Sequence, residues 1–188
     1  SLAEAALIQH LMDSIEQTLT YQHGTIAMAN GVASIVIPEG FKYLDAAQSE
    51  TVLVDYWGNP KDENMTLGMI MPEHHKILGD SGYVFNIQYD EIGYVKDKDA
   101  NKIDYDDLLK DMKKDAIEFN KERVAQGYEP VDIVGWAAPP YYDKHKRILH
   151  WAKEIKFGES EVNTLNYNIR VLGRKGVMVI NAISSMPN

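Results

Sequence analysis

Beyond residue 130 this chain reads as strand after strand. Segments 131–138, 147–157, 165–173 and 176–184 follow one another with short breaks, and Lys175-Gly176 makes a tight hairpin between the last two. No other feature constrains the fold as much. A parallel pair needs a crossover of about a dozen residues or more, so strands this close in sequence pair antiparallel. Consecutive strands of this kind build a sheet that helices cover from outside.

The first half supplies those helices and further strands. Residues 2–19 carry Leu7, Ile8, Leu11, Met12, Ile15 and Leu19 at three- and four-residue steps, one apolar stripe of a helix expected to cover a sheet. Residues 24–37 predict a hairpin about Asn30-Gly31, because both turn positions need positive φ. Pro38-Glu39-Gly40 ends it, and residues 45–57 predict a short helix capped by Asp45. Residues 65–71 are mostly apolar. In 83–90 the alternation predicts Tyr83, Phe85, Ile87 and Tyr89 on one buried face. The longest helix is expected over 105–126. Asp104 is its N-cap, Tyr105, Leu108, Leu109, Met112, Ala116 and Phe119 its core stripe, and Gly127 its stop. The reading is an α+β fold, a largely antiparallel sheet flanked by helices. It is expected to be one domain over 1–188, with an N-terminal helix at 1–20 and a core over 21–184.

Composition excludes several classes. The formal charge is −9 with no basic block, so nucleic acid is not an expected partner. There is no cysteine, hence no disulfide and no thiolate chemistry. No segment reaches the roughly 18–20 apolar residues of a membrane span.

Several words in the sequence are specific: YQHGTIAMANGVASIVIPEGFKYLDA, VDYWGNP, LGMIMPE, GYVKDKDANKIDYDDLL, GWAAPPYYD, LHWA and LNYNIRVLGRKGVMVIN, in this order. With them the chain resembles a bacterial family, the domain of unknown function 2167, over about residues 21–183. The resemblance implies location more than chemistry. Its members are membrane-anchored, with an N-terminal signal sequence and C-terminal hydrophobic segments. The expected location is therefore the cell envelope, with this part periplasmic or extracytoplasmic and the anchor in segments absent from this sequence. The family brings no catalytic residues with it.

The residues themselves offer candidate sites, each with a plainer reading beside it. Asp97-Lys98-Asp99-Ala100-Asn101 begins like a calcium loop, with oxygen ligands at alternate positions. Lys102 stands where that loop wants glycine and Leu108 where it wants glutamate, so an acidic turn into the Asp104 cap fits better. His74-His75 are adjacent, and the spacing of His145 and His150 sets them on opposite faces of a strand; neither pair suits a shared metal. No metal or cofactor is expected. Along 165–171, Asn166, Asn168 and Arg170 project to one side and Leu165, Tyr167, Ile169 and Val171 to the other, with Arg174 in the following turn. Arginine forks bind carboxylates, either an anionic ligand or an internal partner among Asp97, Asp99 and Asp143. Trp136, Pro139, Pro140, Tyr141, Tyr142 and Trp151 are candidates for an aromatic patch.

The functional expectation is a non-catalytic module that binds a protein or small ligand. Its candidate residues are Tyr94, Lys96, Asp97, Asp99, Trp136, Tyr141, Tyr142, Asp143, Trp151, Asn166, Asn168, Arg170 and Arg174. The alternative is a hydrolase using Asp97, Asp99, Asp143 and His145 as acid and base groups.

Overall fold

The computed structural model describes residues 2–28, 31, 33–79, 82–98 and 103–185. Asn30 of the expected hairpin turn, and Asp99, Ala100, Asn101 and Lys102 of the calcium-like segment, lie outside the described residues. The fold class is α+β with antiparallel ladders, and the chain forms two compact units, Ser1–Tyr89 and Asp90–Asn188.

The first unit opens with α1 (Leu2–Thr18) and then β1 (Tyr21–Gln22), β2 (Thr25–Met28), β3 (Ala33–Val36) and β4 (Phe41–Asp45). α2 (Ala46–Thr51) continues into a π-helical turn over Val52–Tyr56, followed by β5 (Gly68–Pro72) and β6 (Val84–Asp90). β2 and β3 form the hairpin, and β1, β4, β5 and β6 lie side by side in that order. Asp45 caps α2 by accepting from the Gln48 backbone N–H at 2.9 Å. β5 is buried at every position, as a short continuous apolar run between two neighbours should be. Leu44, Val52, Met69, Met71, Ile77 and Val84 form the core against it.

β4 has no counterpart in the sequence reading, because FKYLD is too short and mixed to show a period. It is nevertheless central. Tyr43 donates its hydroxyl to the Leu67 carbonyl at 2.6 Å, and its ring lies where a Cβ on Gly68 would sit, 2.3 Å away. Gly68 also holds φ at +139°, so glycine is required there twice over.

Two expectations need correction. In β6 the expected single face does not appear: Val84 and Gln88 are buried alongside Ile87, while Tyr83 is exposed. The strand is covered on both sides, which removes the period-two signal. In α1 the apolar stripe is covered only toward its C-terminal end. Leu7, Ile8 and Leu11 stay more than half exposed, whereas Met12, Ile15 and Leu19 are half-buried. The anchor is polar. Glu16 accepts from the Tyr21 hydroxyl at 2.5 Å and from the Ile77 N–H at 3.0 Å, and pairs with buried Lys42 at 3.8 Å.

The second unit contains α3 (Tyr105–Ala125), β7 (Val131–Asp143), β8 (Ile148–Phe157), β9 (Thr164–Leu172) and β10 (Val177–Ser185). Its strands are ordered β10-β9-β8-β7, each pair antiparallel. Asp104 caps α3 by accepting from the Asp106 and Asp107 N–H groups, and Gly127 takes φ +84° at its end. The core stripe of α3 is thinner than its sequence suggests. Leu108 and Phe119 are exposed, and no residue of the helix is fully buried. The reason is that α3 lies along the edge of β7 instead of across a face. Asn120 donates to the Val131 carbonyl at 3.0 Å and accepts from the Val131 N–H at 2.8 Å. Lys113 donates to the Val134 carbonyl at 2.8 Å, and Trp136 Nε1 donates to the Tyr105 carbonyl at 3.2 Å. Side chains of the helix thus occupy backbone groups that an edge strand would leave open to another chain.

Candidate functional site

LHWA lies in β8, within the strand expected over 147–157, and β7 carries the strand expected over 131–138 onward through PPYYD. β7 runs unbroken through Pro139 and Pro140 to Asp143, with register shifts at Ile133/Gly135, Trp136/Ala138 and Ala138/Tyr141. Proline is tolerated there because β7 is the last strand of its ladder and needs partners on one side only.

Cross-strand register then sorts the candidates between two faces. Trp136 stands opposite Lys153, and Lys153 opposite Asn166. Trp151 stands opposite Asn168, and Asn168 opposite Asn181. Tyr142 stands opposite Leu149, and Leu149 opposite Arg170. Directly opposed residues share a face. Trp136, Tyr142, Trp151, Asn166, Asn168 and Arg170 therefore stand together, joined by Lys153 and Asn181. Tyr141 belongs to the other face. Its ring lies 5.3 Å from His150, which lies 6.0 Å from Tyr167 and shares a 3.1 Å hydrogen bond with the Tyr167 hydroxyl. The expected aromatic patch is thus divided by the one-residue alternation between Tyr141 and Tyr142.

The shared face is polar at its centre. Asn168 is buried and donates Nδ2 to Asn166 Oδ1 at 2.6 Å. On either side of it, Trp151 Nε1 and Asn181 Oδ1 are buried without a hydrogen-bond partner among the described residues. Such groups cost about 1–3 kcal/mol each when left unmet. Arg170 lies over Trp151, its guanidinium carbon 5.5 Å from the ring centroid, and donates Nη1 to Asp90 Oδ2 at 3.4 Å. Among the described residues Asp90 is the partner, and neither Asp97 nor Asp143 is; the expected alternative Asp99 lies outside the described residues. Lys153 sits on the other side of Trp151. Burial, with the nearby Arg170 charge adding to it, holds its ammonium below the usual lysine range.

The word GYVKDKDA meets PPYYD at a separate clamp. Tyr142 donates its hydroxyl to Asp97 Oδ2 at 2.5 Å. That bond lowers the Asp97 carboxyl, while burial and then the Asp97 bond raise the Tyr142 phenol, so the proton stays on the tyrosine. Arg147 donates to the Tyr94 hydroxyl and to the Val95 carbonyl, both at 3.2 Å, and stacks on the Tyr94 ring at 4.8 Å. It holds φ at +56° in the turn between β7 and β8. Asp143 shapes that turn by accepting from the His145 and Lys146 N–H groups at 3.0 Å, bonds that depress its carboxyl. His145 is in this turn and not on a strand, which corrects its expected placement opposite His150. Lys96 and Arg174 are exposed.

Asp97 and Asp143 are thus ionised carboxylates engaged in holding loops, and the bond between Asp143 and His145 uses the histidine backbone, not its ring. Among the described residues no group of three or more His, Asp or Glu is placed to hold a metal ion, and no helix is long and apolar enough to cross a membrane.

Sequence reasoning missed Lys153, Asn181, Arg147 and Asp90. Lys153 was legible, two residues from Trp151 and so on the same side of a strand. Asn181 was legible as an amide inside the apolar run MVINAI. Arg147 and Asp90 carry no local signal; they meet their partners only across the tertiary structure.

No curated protein and no solved structure matches the chain. A family model does, over residues 20–188, which leaves α1 outside the matched segment. By that match the chain belongs to the family described as Protein of unknown function (DUF2167).

Proposed function

We propose that this domain is a non-catalytic binding module whose second unit takes up the anionic group of a ligand on the face centred on Trp151. One observation carries the reading. In a chain of net charge −9, Lys153 and Arg170 flank Trp151 on a single sheet face, and burial lowers the affinity of Lys153 for its proton. Among the described residues no carboxylate lies within ion-pair distance of Lys153. An arriving anion relieves the repulsion between the two cations and favours the charged form of the lysine. The unmet Trp151 Nε1 adds a donor of the right polarity.

The resemblance to a membrane-anchored bacterial family supports a place in the cell envelope, with the anchor in segments outside this sequence. Calorimetric titration with inorganic phosphate, citrate and the neutral polyol sorbitol tests the binding claim. The expected result is binding of an anion but not of sorbitol, and loss of at least about tenfold in affinity for Lys153→Met and for Arg170→Gln, the scale of one charge-assisted hydrogen bond. Affinity unchanged from wild type in both variants sinks the reading. Fractionation of the native full-length protein tests the location, and recovery without any membrane association sinks that part.

A further inference from the structure

Arg170 meets two neighbours at once, and they act on it differently. The Trp151 ring lies against its guanidinium, with 5.5 Å from ring centroid to guanidinium carbon, and sets where the group stands. The Asp90 carboxylate meets it at one point, Nη1 to Oδ2 at 3.4 Å. We infer that Asp90 is an internal competitor for the ligand. Its carboxylate occupies Arg170 until a ligand arrives, and the anionic group of that ligand takes its place. The inference rests on the anion-binding reading of the Trp151 face and adds what the anion must displace.

The geometry of the contact makes it exchangeable. A charge-assisted N–H···O bond is about 2.7–2.9 Å long, and an arginine holds a carboxylate or phosphate best through two parallel bonds. Asp90 makes a single, longer one. Arg170 is 36% exposed and Asp90 31%, so water screens the pair and it holds by a small margin. An external anion that engages the fork with two oxygens has the better geometry.

The exchange asks for a turn of the Asp90 side chain alone. Asp90 is the last residue of β6, and the chain just beyond it is tied down. The Gly93 N–H donates to the Lys175 carbonyl at 3.1 Å, Arg147 holds the Val95 carbonyl, and Tyr142 holds Asp97. Arg170 keeps its place on the indole once Asp90 leaves, because the stacking does not involve the carboxylate. Asp90 thus sets a threshold. A ligand stays only if its anion binds the fork better than one single-pronged carboxylate does.

The test titrates citrate and inorganic phosphate into the whole chain by calorimetry, as wild type, Asp90→Asn, Glu91→Gln, Arg170→Gln and the double variant Asp90→Asn with Arg170→Gln. Asp90→Asn is nearly isosteric and removes the competing charge. Glu91→Gln removes an equal charge one residue away, at an exposed position. The expected result is that Asp90→Asn binds about three- to fivefold more tightly than wild type, the scale of a partly exposed ion pair. Glu91→Gln should show less than half of that gain. Adding Asp90→Asn to Arg170→Gln should also show less than half of it, since the competition runs through the guanidinium. In wild type the carboxyl carbon signal of Asp90 should shift in NMR spectra as citrate binds. Wild-type affinity in Asp90→Asn overturns the competitor, and so does a gain that Glu91→Gln matches. A loss of affinity in Asp90→Asn overturns it by making the carboxylate a support for Arg170. An Asp90 carboxyl signal that citrate leaves in place while the Arg170 side-chain signal moves overturns it without any variant. In all these cases wild type still binds the anion, and the reading of the Trp151 face stands. Absence of binding in wild type and Asp90→Asn alike overturns both.

Discussion

Arg170 stacks on Trp151 across the β8–β9 ladder, with 5.5 Å between the guanidinium carbon and the indole centroid. The stacked pair shields one side of the indole and leaves Lys153, on its other side, next to a charge of its own sign. Burial, and then that like charge, lower the affinity of Lys153 for its proton in the folded state. Between that lowered value and about 10.4, the ordinary lysine value, the unfolded chain binds more protons than the native one. Stability should rise with pH through this window. Lys153→Met should raise stability at pH 7 by about 1 kcal/mol or less, given the partial exposure of the group, with no gain above about pH 10.5. Urea melts at pH 7 and pH 10.5 check this, and an equal gain at both would contradict it.

The Tyr142–Asp97 bond pins loop 91–97 to β7. Because Asp97 is depressed, its contribution is present above about pH 4 and fades as acid drops the pH through its folded value. Tyr142→Phe should speed amide exchange of residues 94–97 severalfold at pH 7 while the β8–β9 amides stay protected. At a pH low enough to protonate Asp97, wild type and variant should exchange alike.

Lys42 is buried beside Glu16 and lies 3.8 Å from the Tyr21 ring centroid. Glu16→Ala leaves that ammonium without its counter-charge and also orphans the Ile77 N–H. A loss of about 3 kcal/mol is expected. Adding Lys42→Met should recover part of it, since a buried charge no longer lacks a partner. Thermal melts of the two variants decide the matter, and an unchanged melting temperature for Glu16→Ala would show that α1 is not anchored this way.

Asn120 occupies both the N–H and the carbonyl of Val131. Asn120→Ala should cost about 1–3 kcal/mol, because two backbone groups lose their partner at once. It should also bare part of the β7 edge. Size-exclusion chromatography at rising concentration checks for self-association, with amide exchange at Val131 as the local readout.

Local chemistry alone determined much of this protein. Asp45 and Asp104 cap helices wherever the chain goes, since each needs N–H groups only two or three residues ahead. The four late strands and their antiparallel sense followed from short connections. The alternation of Asn166, Asn168 and Arg170 was readable because a strand has a period of two. Other features were decided by tertiary structure. β4 and the two-sided burial of β6 depend on neighbours, which erase any period. The split between Tyr141 and Tyr142, the pairing of Arg170 with Asp90 and the fate of the α3 stripe depend on register and on an edge that needed covering. A side chain's direction along a strand is set by the backbone it belongs to; the partner it finds is set by chain tens of residues away.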